Sequence, residues 1–153
     1  MPTTKNIANE LFFASAEEFL GEGRSVELMV KGFSMRPFLR NGRDVVVLSP
    51  VEGMEVRRGM VVLFRHAGRH VLHRVRTVEQ GGVLRIEGDG NYRTIERATL
   101  GDVVAWVSEV RLGGANRGFR YGSIRWRVRS GWSLMIKRLR TAVIDVKRII
   151  FNR

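Results

Sequence analysis

Apolar and polar positions along the chain change period twice, and each change marks an element boundary. Over residues 4–20 the apolar residues Ile7, Leu11, Phe12 and Phe19 recur at helical spacing. Thr3 or Thr4 can cap that helix, and Gly21 and Gly23 end it. From Ser25 to Val110 the period shortens to two. Val26–Val30 alternates, Val45–Leu48 and Met60–Arg65 are short apolar strands, and His70–Val78 follows the turn His66-Ala67-Gly68-Arg69 as the second arm of a hairpin. Leu84–Glu87 alternates again before the turn Gly88-Asp89-Gly90-Asn91, and Val103–Val110 closes the series. Short strands, glycine-rich turns and no helix between them predict a mainly β domain, a coiled sheet or a barrel.

Beyond Val110 the pattern changes once more. Arg111–Gly118 is rich in glycine and reads as a linker, and Trp132–Phe151 reads as a second helix. At 100° per residue Trp132, Met135, Leu139, Val143, Val146 and Ile150 form one stripe, with Lys137, Arg140, Lys147 and Arg148 on or beside the opposite face. Leu134 and Ile144 interrupt the polar side. The predicted organisation is an N-terminal helix (1–24), a β domain (25–110), a linker (111–123) and a basic amphipathic tail (124–153).

Charge sharpens this division. Residues 1–110 hold 15 Lys/Arg and 14 Asp/Glu, whereas residues 111–153 hold 12 Lys/Arg and a single acid, Asp145. A near-neutral body with a polycationic tail points to an anionic surface for the tail, not to a nucleic-acid-binding body. Lys137, Arg138, Arg140, Lys147 and Arg148 are the expected surface contacts, each contributing on the order of 1 kcal/mol near an anionic membrane. Packing on the body and pairing with a second protomer are the other readings of the tail. Trp126 and Trp132 among arginines suit an interfacial helix as well as base stacking.

The chain has no cysteine, which removes disulfides, a thiolate nucleophile and thiolate-bound zinc, and fits a reducing compartment. Met1–Lys5 lacks a basic segment followed by an apolar one, so no cleavable signal peptide is expected. The longest apolar runs, Met60–Phe64 and Val103–Val107, fall far short of the roughly 20 residues of a membrane span. The expected location is cytoplasmic, with peripheral attachment to the inner membrane face through the tail. His66, His70 and His73 lie across a hairpin, where helical ligand spacing has no meaning, so no metal is expected. The glycine pairs lack the strand–helix context of a phosphate loop, and no cofactor is expected.

Two stretches carry candidate chemistry. Gly32-Phe33-Ser34-Met35-Arg36-Pro37 holds a serine between a small-residue turn and a proline, and Val71-Leu72-His73-Arg74-Val75 places a histidine on a later strand. A serine hydroxyl needs a base within hydrogen-bond reach, and a neutral imidazole is suited to that task at physiological pH.

Together with Gly42-Arg43-Asp44-Val45-Val46-Val47, Gly59-Met60-Val61-Val62-Leu63-Phe64 and Glu87-Gly88-Asp89-Gly90-Asn91, these motifs resemble the type I signal peptidases. The closest branch is the archaeal and endoplasmic-reticulum one that pairs Ser with His. The resemblance covers roughly Val26–Val110 and implies a β catalytic domain of the kind shared with LexA-type repressors. It implies Ser34 as nucleophile and His73 as general base in a serine endopeptidase acting on a peptide or precursor protein. Gly32, Met35 and Pro37 would shape the support and the oxyanion hole around Ser34. Gly32 stands where bacterial leader peptidases often carry a serine, so the hole would rest on backbone N–H groups, including that of Ser34.

Asp89 is the candidate to orient His73, although Gly88-Asp89-Gly90-Asn91 is also a tight turn on propensity alone. The Ser–His members carry a further acid a few residues past that turn. Here Arg93, Thr94 and Ile95 fill the stretch, and Glu96 is the nearest carboxylate. A non-catalytic peptide-binding module that keeps the fold is the alternative. A LexA-type repressor is rejected, since one helix precedes the first strand and Ala67-Gly68 lies downstream of Ser34.

Overall fold

The computed structural model describes residues 4–113 and 117–152, with side chains from residue 9 onward. The Thr3/Thr4 cap, Ile7 and linker residues 114–116 lie outside that description. Helix α1 (Thr4–Gly21) is followed by eight strands: β1 (Val26–Met29), β2 (Val45–Pro50), β3 (Val61–His66), β4 (Arg69–Val78), β5 (Val83–Glu87), β6 (Glu96–Thr99), β7 (Val103–Arg111) and β8 (Gly118–Arg120). Helix α2 (Ile124–Phe151) ends the chain. The strands form one antiparallel sheet in the order β1-β2-β7-β3-β4-β5-β6, with β8 also paired to β7. The sheet is not closed into a barrel; β1 and β6 are its edges.

Strand β3 shows why the sheet coils around two cores. Val61, Val62, Leu63 and Phe64 are all buried. Period two sends Val61 and Leu63 into one cluster with Met35, Phe38, Leu39, Val46, Leu48, Ala105, Val107 and Val110. Val62 and Phe64 enter a second cluster with Met60, Val75, Leu84, Ile86 and Ala98. Hairpin β3–β4 turns on Ala67 (φ 49°) and Gly68 (φ 74°), the paired positive φ values of a two-residue turn matched to strand twist.

Three expectations change. Helix α1 buries Ala16 and Leu20, with Phe13 packed against the same core, whereas Leu11, Phe12 and Phe19 face outward. The segment assigned as linker contains strand β8, whose Phe119 is buried. Helix α2 starts at Ile124, not near Trp132, because the Ser123 hydroxyl caps it by accepting from the Trp126 N–H at 3.2 Å. Trp126 then packs edge-on against Phe38, Phe119 and Tyr121, fixing the start of α2 to the β domain. The tail is therefore continuous with the domain core. Among the described residues no helix is long and apolar enough to cross a membrane.

Candidate active site

The Ser34 segment is an irregular turn anchored by its own neighbours. Met35, Phe38 and Leu39 are buried, each worth about 1.5–3 kcal/mol of apolar transfer, and the Leu39 N–H closes the turn on the Met35 carbonyl at 2.9 Å. Asp44, fully buried, accepts from the Arg40 backbone N–H and receives the Arg40 guanidinium at 3.0 Å. The Arg129 side chain of α2 donates to the Phe38 carbonyl at 2.8 Å. Gly32 takes φ 87°, a left-handed turn open to glycine, and its N–H is held by Asn41 Oδ1 at 2.7 Å. Gly32 therefore supports the turn without an N–H to offer an oxyanion. The N–H groups of Ser34 and Met35 donate to nothing among the described residues. Pro37 follows a cis peptide bond and is partly buried.

The turn after β5 abuts this segment. The Gly90 N–H donates to the Ser34 carbonyl at 2.6 Å. A Cβ at Gly88 would lie 2.5 Å from the Ser34 carbonyl oxygen, and one at Gly90 would collide with that of Phe33. Only glycine allows that approach. Strand β5 pairs with β4 through Glu87 and Arg74, so the Ser34 backbone lies at the end of the ladder where His73 stands. No hydrogen bond joins Ser34 to His73 among the described residues.

His73 is 5% exposed on β4. Alternation puts Val75 on the same face, Ile86 opposite Val75, and Glu96 opposite Ile86. Glu96 thereby reaches back along one face of the sheet, and its Oε2 stands 3.1 Å from His73 Nδ1. That contact fixes the ring and leaves Nε2 as the nitrogen available for chemistry.

Asp89 does not orient His73, which corrects the expectation drawn from the motif. Its two oxygens accept from Arg74 Nε and Nη2, both at 2.8 Å, and one also accepts from Ser133 of α2 at 2.7 Å. Arg74 is 1% exposed, donates further to the Gly59 carbonyl and Ser130, and stacks over Phe38 at 4.4 Å. Asp89 is the counter-charge of a buried arginine. Glu96 lies on a strand that alternation did not reveal, since Glu96-Arg97-Ala98-Thr99 contains one apolar residue. The available sequence signal was its position as the next carboxylate after the turn.

A cleft of about 480 Å³ opens beside Ser34, lined by Gly32, Met35, β1 and the start of β4. Its walls include two strand edges without partners among the described residues. Strand β1 pairs only with β2, and β4 pairs with β5 only from Arg74 onward. Phe12 and Phe13 of α1 close one side. Phe13 stacks on His70 at 4.3 Å, and His70 meets Glu17 at 2.6 Å. The hydrogen bond from Arg65, reinforced by His70, holds the Glu17 carboxyl below its ordinary value against the opposing effect of burial.

The tail residues separate. Lys137 is buried, 2.6 Å from both the Gly88 carbonyl and Glu87, and Arg140 donates to the Gly90 carbonyl at 2.6 Å. Both brace the turn under Ser34; buried Lys137 is not free for a membrane surface, which corrects its assignment, whereas Arg140 stays exposed. Arg138, Lys147 and Arg148 are exposed.

Compared with known proteins, the chain matches no protein-family model, no curated protein and no solved structure.

Proposed function

We propose that the chain is a serine endopeptidase of the signal-peptidase-like Ser–His kind, with Ser34, His73 and Glu96 as its catalytic set. The observation that carries this reading is the buried His73 ring, held at Nδ1 by Glu96 and lying at the end of the ladder against which Ser34 is clamped. In the mechanism His73 Nε2 takes the Ser34 hydroxyl proton as Oγ adds to the scissile carbonyl. Glu96 holds the imidazole in the required tautomer and offsets the imidazolium charge. The unoccupied N–H groups of Ser34 and Met35 are suited to receive the developing oxyanion. His73 then passes its proton to the leaving amine, and water activated by the same imidazole releases the acyl group from Ser34.

The free edges of β1 and early β4 suit an extended peptide, which can add main-chain hydrogen bonds to both and lead its scissile bond to Ser34. The substrate is a peptide or precursor protein. A cysteine-free chain fits a reducing compartment, and we infer substrate encounter in the cytoplasm or at the inner membrane face. A serine-directed acylating reagent should label the wild type at Ser34 and leave Ser34→Ala unlabelled. Equal labelling of both would remove Ser34 from the mechanism.

One observation favours a binding module: Ser34 and His73 share no hydrogen bond. Catalytic contacts are often long before substrate arrives, so the enzyme reading stands above it. Undiminished peptide binding, with no cleavage by the wild type across a panel of small-residue peptides, would reverse that order.

A further inference from the structure

Helix α2 is mounted on the domain by its polar side. Trp126, Ser130, Ser133 and Lys137 are buried against the body. The opposite stripe runs outward: Ile124, Val128, Trp132, Leu139, Val143 and Ile149 are each more than half exposed. This stripe spans the whole of a helix about 42 Å long, and contiguous apolar surface of this extent on a single chain marks an interaction face.

The charges beside the stripe select its partner. Arg125, Arg127, Arg138 and Lys147 are exposed and form no ion pair among the described residues. The helix has one acid, Asp145, already taken by Tyr92 and Arg93. A second copy packed on this face would bring two cationic rows together with no carboxylate between them. An anionic bilayer meets both features, taking the apolar stripe into the acyl boundary and the guanidinium and ammonium groups into the phosphate layer.

We propose that α2 is an in-plane docking helix for anionic lipid bilayers, with its polar face fastened to the β domain and its apolar face in the membrane. The proposal is independent of any peptidase activity. Its fastened face includes Lys137, Ser133 and Arg140, which hold the 88–90 turn beneath Ser34, so the docked helix and the serine segment form one connected unit.

The test is co-sedimentation of the full chain with phosphatidylcholine vesicles, with and without about one third phosphatidylglycerol, alongside quenching of tryptophan by brominated acyl chains. Trp132 is the exposed reporter on this face. Binding to anionic vesicles, quenching of Trp132 and weakening in high salt are expected. Leu139→Asp and the double variant Arg138→Glu/Lys147→Glu should each weaken binding by roughly tenfold or more, with circular dichroism unchanged because these side chains are exposed. Equal binding to neutral and anionic vesicles would overturn the proposal, as would failure of the wild type to bind. A dimer broken by Leu139→Asp, without vesicle binding, would overturn it by assigning the face to a second copy.

Discussion

Asp89 lies in the turn after β5 and Glu96 on the strand that follows it, yet the structure gives them opposite surroundings. Asp89 is buried and saturated, with both oxygens committed to Arg74 and one also to Ser133. Glu96 sits at the sheet edge with, among the described residues, a single ionisable partner, the Nδ1 of His73. An acid inside a recognisable motif can belong wholly to the architecture, while the acid that faces His73 lies on a strand with no motif of its own. Proximity in sequence to His73-Arg74 does not separate the two. Strand alternation does: Arg74 points to the side that receives Asp89, and His73 to the side that receives Glu96.

The largest effect expected from breaking this contrast is structural. Asp89→Ala strands the Arg74 guanidinium in the core, and loss of one partner of a buried pair costs about 3–5 kcal/mol. Chemical denaturation should show that loss for Asp89→Ala and a much smaller one for Glu96→Gln. Equal destabilisation would erase the distinction drawn between them.

Next in size is the turn that Asp89 occupies. Gly90→Ala drives a methyl group into the Phe33 carbonyl and should destabilise the chain by about 1–3 kcal/mol, as overpacking generally does. Because the Gly90 N–H holds the Ser34 carbonyl, acylation of Ser34 should slow as well. Gly118→Ala meets a comparable backbone collision at Val110, away from Ser34. It should lose stability while keeping its acylation rate, and a matching loss of rate there would deny the turn any particular hold on Ser34.

The smallest effect concerns a third carboxylate, Glu17. Its folded pKa lies below the ordinary 4.5, chiefly through the Arg65 hydrogen bond. A depressed carboxylate contributes stability above its unfolded pKa and loses it as pH falls through the folded value. Wild type should therefore melt above Glu17→Gln at neutral pH, with the gap closing below pH 4.5. A gap that persists in acid would mean that α1 docks without this ion pair.

Much of the sheet was legible because its strands alternate or are continuously apolar, as β3 and β7 show. Strands β6 and β8 were not, since Glu96–Thr99 and Gly118–Arg120 are short and take their strand geometry from pairing with β5 and β7. The stripe on α2 was legible as a wheel, but a wheel cannot say which side docks. Here Lys137 and Ser133 find a carbonyl and carboxylates on the body, and that satisfaction turns the apolar side outward. In α1 the dense cluster Leu11-Phe12-Phe13 hid the narrower stripe Phe13, Ala16 and Leu20 that meets the core. Ser34 and His73 were readable as types and motifs. The carboxylate beside His73 was not, because it depends on which face of which strand each carboxylate occupies.

The central claim is that Glu96 acts on Ser34 through His73, and its most direct measurement is the rate of Ser34 acylation by a serine-directed reagent in Glu96→Gln, read beside wild type and Ser34→Ala. A folded Glu96→Gln protein whose acylation is slower by on the order of 10³–10⁴ would match the loss seen when a triad acid is neutralised. Acylation at the wild-type rate in that variant would contradict the account.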